Sequence, residues 1–310
     1  MRRLQQRGKR GLRRAAGAAV DASAGALVTA VLKAARLAPR RRMANVLGLA
    51  LRKVGPFLPE HRIGRANLAA AFPEKSLPEI ERILAGVWDN LGRVTAEFTQ
   101  IDQLTSSDPP RAQDDISAAP DMFDRFCRFR SDGRPTLVFA AHLANWELPA
   151  LVAARYRIEA ATLFRRPNIR SVADAVVDIR ANAMGKLVPT GLDAPVRLLR
   201  ELQAGRCVAM LVDQHFAKGV DVTFFGRRCK ANPLIAQLAR HMECPIRGTR
   251  IVRKPDKHSF LIEVTEPIEP ARDAEGKIDI AGTMQAITGV VEGWVREHPE
   301  QWLWLHRRWR

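Results

Sequence analysis

Cysteine is scarce in this sequence, tyrosine is almost missing, and acidic residues are outnumbered. Four Cys in 310 residues, at Cys127, Cys207, Cys229 and Cys244, exclude a disulfide scaffold. No C-x-x-C pair occurs, so neither a zinc ribbon nor a thioredoxin-like redox pair is supported, and a reduced body facing the cytoplasm is expected. A single Tyr leaves little for stacking on bases. With no RRM, KH or zinc-finger pattern present, a nucleic-acid partner is not expected. There is no G-x-S-x-G elbow, so a serine acyl-enzyme is unsupported. No repeat of 20–50 residues is visible, and no uninterrupted apolar run reaches the ~20 residues of a membrane span.

What is present can bury a core. The chain is 46% hydrophobic and 27% charged, enough for one large domain or two ordinary ones. The net charge is +17, of which residues 1–53 carry +13, with Asp21 their only acid. The remaining 257 residues are therefore nearly balanced at +4. A DNA-binding fold spreads its basic footprint over a folded face. A basic end beside an apolar stretch reads first as a device for anionic membrane surfaces, each Lys or Arg contributing roughly 1 kcal/mol there. The apolar stretch is 15–32, Ala-rich and interrupted by Asp21, Ser23 and Thr29. A tilted single span and an interfacial helix both fit it. Arg13–Arg14 and Arg40–Arg42 flank it on both sides, so its orientation is not set. A cleaved signal peptide is the rival reading, with Ala22-Ser23-Ala24 as the cleavage-like site.

Residues 1–43 are thus set apart from a body over 44–310. Helical periodicity predicts an amphipathic region over 44–72 and a helix over 78–104, followed by a polar connector at 105–120. From about 130 the texture becomes strand–helix alternation. Strands are predicted at 136–141, 161–164, 207–212, 245–252 and 259–264, and helices at 149–156, 170–184, 196–203 and 232–242. The runs at 136–141 and 207–212 are continuously apolar, as strands buried on both faces should be. The expected fold is therefore α/β, a mostly parallel sheet flanked by helices, preceded by a basic, apolar, membrane-associating helical segment.

In such sheets ligands bind beyond the carboxyl ends of the strands, where His142 and Asp213 end the two best ones. The first reads His142-Leu143-Ala144-Asn145-Trp146-Glu147. Five residues do not place two side chains on one helix face, so His142 and Glu147 can meet only across a tight connection, which Pro149 at a helix start supports. A carboxylate on one imidazole nitrogen fixes the tautomer and makes the other nitrogen a general base poised near neutral pH. The bland alternative is a structural turn histidine; for Asp213 it is a turn or helix-capping acid.

H-x-x-x-x-E after a buried strand resembles the first block of the lysophospholipid acyltransferase superfamily. Phe164-Arg165-Arg166-Pro167-Asn168 looks like its second block, and Asp213-Gln214 with Val220-x-x-x-Phe224-Phe225-Gly226 like its third. The ending Gln301-Trp302-Leu303-Trp304-Leu305-His306-Arg307-Arg308-Trp309 is similar to that of the lipid A biosynthesis acyltransferases, the lauroyl and myristoyl transferases of Gram-negative bacteria. The likeness covers roughly 45–310.

The resemblance implies transfer of a fatty acyl chain from acyl carrier protein to a hydroxyl of a lipid A precursor, at the cytoplasmic face of the inner membrane, with no cofactor or metal. His142 would act as base backed by Glu147. Arg166, matching the second block, would serve phosphate recognition, with Arg180 on the next helix as a further candidate; a solvated Arg is the alternative for both. Asp213 would orient one of these arginines. Asn145 is a candidate substrate contact, and a backbone N–H near it a candidate oxyanion donor. Two departures stand out: Glu replaces the commoner superfamily Asp, and the 15–32 stretch is poorer than a typical anchor. His215 has no assigned role, while Trp302 and Trp304 are expected to pack. Other readings are an acyltransferase for another acceptor, such as a glycerophospholipid or glycolipid, and a non-catalytic basic protein binding membrane or nucleic acid.

Overall fold

The computed structural model describes residues 36–107, 111, 113–165, 177–180 and 183–310. The 15–32 stretch, Arg166 and most of the helix expected over 170–184 lie outside the described residues.

The amphipathic region expected over 44–72 is broken by prolines. Helix α1 (Arg40–Val54) ends in a 3-10 turn, Gly55–Phe57, and Pro59 opens α2 (Pro59–Ala71), because proline lacks only an N–H that the first helical turn leaves unused. Helix α3 (Leu77–Thr99) starts at a capping box, where the Ser76 backbone N–H donates to Glu79 Oε2 at 2.8 Å. It buries Ile80, Leu84, Val87 and Trp88, and stops short of the predicted end at 104 in a 3-10 turn. α1 lies backbone-close on α3: a Cβ on Gly92 would sit 2.2 Å from the Leu47 carbonyl oxygen. Any larger residue there would push the two helices apart.

The predicted polar connector holds a short strand β1 (Ile116–Ser117), and α4 (Pro120–Ser131) begins inside it. Then come β2 (Leu137–Ala140), α5 (Leu148–Arg155), β3 (Ala160–Phe164), β4 (Lys186–Pro189), α6 (Ala194–Gln203) and β5 (Cys207–Leu211). A hairpin of β6 (Val220–Phe224) and β7 (Arg227–Ala231) precedes α7 (Leu234–Met242), β8 (Ile246–Arg253), β9 (Phe260–Val264) and α8 (Ile280–Glu297). The main sheet has seven strands in the order β1-β9-β8-β2-β5-β3-β4. Every pairing in it is parallel except β8 with β9. The α/β expectation therefore holds.

The sheet's two faces differ, and here the sequence reading needs correction. Leu137, Phe139, Ala161 and Val208 point to one face and join Leu198, Ile235, Met284 and Ile287 from α6, α7 and α8 in the main core. The alternate residues Val138, Ala140, Thr162 and Ala209 instead border a cavity. β2 and β5 were expected to be buried on both faces. One face is packed; the other is apolar and lines the cavity. A continuous apolar run cannot distinguish a helix packed against the sheet from a cavity beside it.

Candidate active site

β2 and β5 run parallel in register, with Ala140 opposite Leu211. The register carries on past the strand ends, where the Val212 N–H donates to the Ala140 carbonyl at 3.0 Å. His142 and Asp213 each lie two residues beyond that pair, so the sheet delivers them side by side. Asp213 Oδ1 accepts from His142 Nδ1 at 2.8 Å, and Oδ2 accepts the His142 backbone N–H at 2.9 Å. Oδ2 also accepts from the indole Nε1 of Trp302 at 2.7 Å.

Asp213 is fully enclosed. Burial alone opposes its ionisation, but the imidazole charge and hydrogen bonds of His142, with His306 nearby, outweigh it. The carboxyl is held well below the usual carboxylate range. A carboxylate only accepts, so Nδ1 carries a proton, and in the neutral ring it is Nε2 that presents the lone pair. Nε2 meets the side-chain amide of Gln214 at 3.3 Å, and the ring borders the cavity.

This corrects the pairing expected from sequence. Glu147 does not back His142; it forms a two-pronged pair with Arg180, one bond running from Nε to Oε2 at 2.9 Å and the second from Nη2 to Oε1. The Arg180 guanidinium lies over the rings of Phe98 and Phe164, 5.6 and 5.8 Å from their centroids. Among the described residues the side-chain partners of Asp213 are His142 and Trp302 rather than an arginine. The chain between His142 and Glu147 explains the separation. Ala144 adopts φ 47°, and Asn145 is wholly buried, its amide donating to Glu97 Oε2 at 2.9 Å. The side-chain Oδ1 of Asn145 accepts the Glu147 N–H at 3.3 Å. Asn145 thus faces the protein interior rather than a substrate.

The cavity beside these groups has a volume of about 590 Å³. Its floor is the open face of β2, β3 and β5, where Ala140, Ala160, Thr162 and Ala209 are small enough to leave the space. Its roof is built from α4, α5 and the neighbourhood of Met184, with Phe126, Pro149 and Ala153 facing in. His142, Glu147, Arg180 and Gln214 line it at the carboxyl end of the strands, and Cys207 and Ile158 lie at the amino end. Along β5 from Val212 to Cys207 the trough is about 17 Å long at the usual strand rise. Burial pushes the Cys207 thiol up to about 11, so it stays protonated and is a poor nucleophile. Among the described residues no group of three or more His, Cys, Asp or Glu is placed to hold a metal ion.

Of the residues picked from sequence, the structure brings His142, Glu147 and Arg180 to one cavity mouth, with Asp213 buried behind His142, while Arg166 is outside the described residues. Sequence reasoning missed three supports. Trp302 and Trp304 are buried in packing as expected, 4.7 Å apart edge to face, but the indole of Trp302 also holds Asp213. The available signal was that a buried indole N–H needs an acceptor. Gln214 follows Asp213 directly, yet nothing in sequence pointed it at His142. The ion pair of Arg253 with Glu97 joins residues 156 positions apart, which no local pattern reveals.

A search of curated proteins returned no match. The family model of the bacterial lipid A biosynthesis acyltransferases matches residues 19–310, nearly the whole chain. With a match over that length, the chain belongs to the bacterial lipid A biosynthesis acyltransferase family.

Proposed function

We propose that the protein moves a fatty acyl chain from an acyl carrier protein thioester to a hydroxyl of a lipid A precursor, with His142 as general base and no acyl-enzyme. The observation that carries this reading is the His142 ring, held at Nδ1 by Asp213 and bordering the mouth of an apolar trough. The acyl chain would lie in the trough with its thioester at the mouth. Nε2 takes the proton of the acceptor hydroxyl as its oxygen attacks the thioester carbonyl. The tetrahedral intermediate collapses, the C–S bond breaks, and the departing sulfur takes that proton from Nε2. Asp213 stabilises the imidazolium formed in between, the role first given to Glu147. Glu147 instead holds Arg180 in place. The guanidinium nitrogen that Glu147 does not engage is a donor for the oxyanion or for an acceptor phosphate. Binding both reactants in line at one mouth supplies the proximity on which such transfers depend. The test is incubation of the purified enzyme with acyl-acyl carrier protein and a lipid A precursor. The product should gain the mass of one acyl group; acylation of a glycerophospholipid in preference would redirect the acceptor assignment.

The same reading places the enzyme on the cytoplasmic face of the inner membrane. Among the described residues no helix is long and apolar enough to cross a membrane. Support comes from the outer face of α1, where Val46, Leu49 and Val54 are exposed, and from Phe57 just beyond it, 87% exposed. Arg41, Arg42, Arg52 and Lys53 flank that face, the combination that lies down on anionic headgroups. Leu49→Glu with Phe57→Glu should weaken binding to vesicles containing anionic lipid by about tenfold; unchanged binding would remove α1 from the interface.

A further inference from the structure

The connector between β2 and α5 rests on a buried ion pair. Glu97 of α3 has no exposed surface, and Arg253, the last residue of β8, has almost none. Two nitrogens of Arg253 donate to the two oxygens of Glu97, at 2.5 and 3.0 Å, and its Nε donates to Asn90 Oδ1 at 2.9 Å. The network then grips the connector twice. Asn90 Nδ2 donates to the Ala144 carbonyl at 3.1 Å, and Asn145 Nδ2 donates to Glu97 at 2.9 Å. None of Glu97, Arg253 and Asn145 borders the cavity.

Stability does not account for such a pair, because well-packed apolar residues usually serve a core as well or better. What it supplies is fixed geometry. It holds Ala144 at φ 47°, a conformation that costs a residue with a Cβ roughly 1 kcal/mol or more and persists only when its surroundings impose it. It also fixes the Asn145 side chain, whose Oδ1 accepts the Glu147 N–H. The sharp turn this creates sends His142 toward Asp213 and Glu147 toward Arg180.

We propose that Glu97, Arg253 and Asn145 are positioning residues for acyl transfer, holding the connector so that the His142–Asp213 and Glu147–Arg180 pairs form separately at one mouth. The proposal rests on the reading of Glu147 and Arg180 as part of the site. The test is a double-mutant cycle with Asn145→Ala and Glu147→Gln. Asn145→Ala leaves the Arg253–Glu97 pair intact, so no bare charge is buried. If Asn145 acts through the placement of Glu147, its loss should lower kcat by about 10–100-fold in the wild-type background, with KM for the acyl donor nearly unchanged. In the Glu147→Gln background it should lower kcat by less than about threefold. An equal loss in both backgrounds, or full activity of Asn145→Ala, would overturn the positioning role. Full activity of Glu147→Gln alone would overturn the reading of the site, and the proposal with it.

Discussion

Asp213→Asn tests the tautomer argument most sharply. The native carboxylate accepts two donors on Oδ2, the His142 N–H and the Trp302 indole, and one on Oδ1, the His142 ring. An amide must choose which oxygen to replace with NH2. Placing NH2 at the Oδ2 position sets it against two fixed donors and forfeits two hydrogen bonds. At about 2 kcal/mol each, that orientation is disfavoured by roughly 4 kcal/mol. The amide therefore presents NH2 to the imidazole, which must turn its Nδ1 lone pair inward and carry its proton on Nε2. The base is then blocked in all but a small fraction of molecules, and kcat should fall by about 10³-fold, since each 1.36 kcal/mol is a factor of ten. The assay is steady-state transfer from an acyl-acyl carrier protein thioester, with thermal unfolding measured in parallel. A variant that folds normally and keeps more than a tenth of wild-type kcat would refute the reasoning. The acid limb of stability gives a second readout. The lowered Asp213 value contributes stability that is complete above the ordinary carboxylate range near pH 4 and is lost as pH falls through the depressed native value. The wild type should lose that increment on acidification, and Asp213→Asn should lack it at every pH.

Two further outcomes are expected. Arg180→Lys keeps the charge but not the fork, so kcat/KM should fall by about 10–100-fold even though the ion pair to Glu147 can re-form; a loss of less than threefold would show that a point charge suffices. Ala209→Phe fills the middle of the trough floor and should discriminate against long acyl donors relative to short ones by about tenfold or more, each methylene being worth about 1–3 kcal/mol. Equal activity on all chain lengths would mean that the chain lies elsewhere.

Much of the fold was legible because hydrophobic period and turn residues are local signals. The strand runs ending at His142 and Asp213 are such signals, and the rule that ligands sit beyond strand ends picks out two residues that the structure brings together. The partnership between them was not legible. Glu147 is near His142 in sequence and attracted the pairing, but strand register, which places residue 213 beside residue 142, is a tertiary fact. The strand pattern also concealed the cavity, since Ala140 and Ala209 look like core whether a helix or a cavity lies over them. Short elements escaped for a related reason: β4 spans only four residues, and in β7 the charged Arg227, Arg228 and Lys230 blur the alternation.

The central claim is that one imidazole nitrogen removes the acceptor's proton, and His142→Ala addresses it directly. Product lipid would be quantified by mass after incubation with acyl-acyl carrier protein, and membrane association of the variant measured alongside. Transfer is expected to fall to background, with membrane association unchanged. Transfer at a rate near wild type would contradict the assignment of His142 as the base.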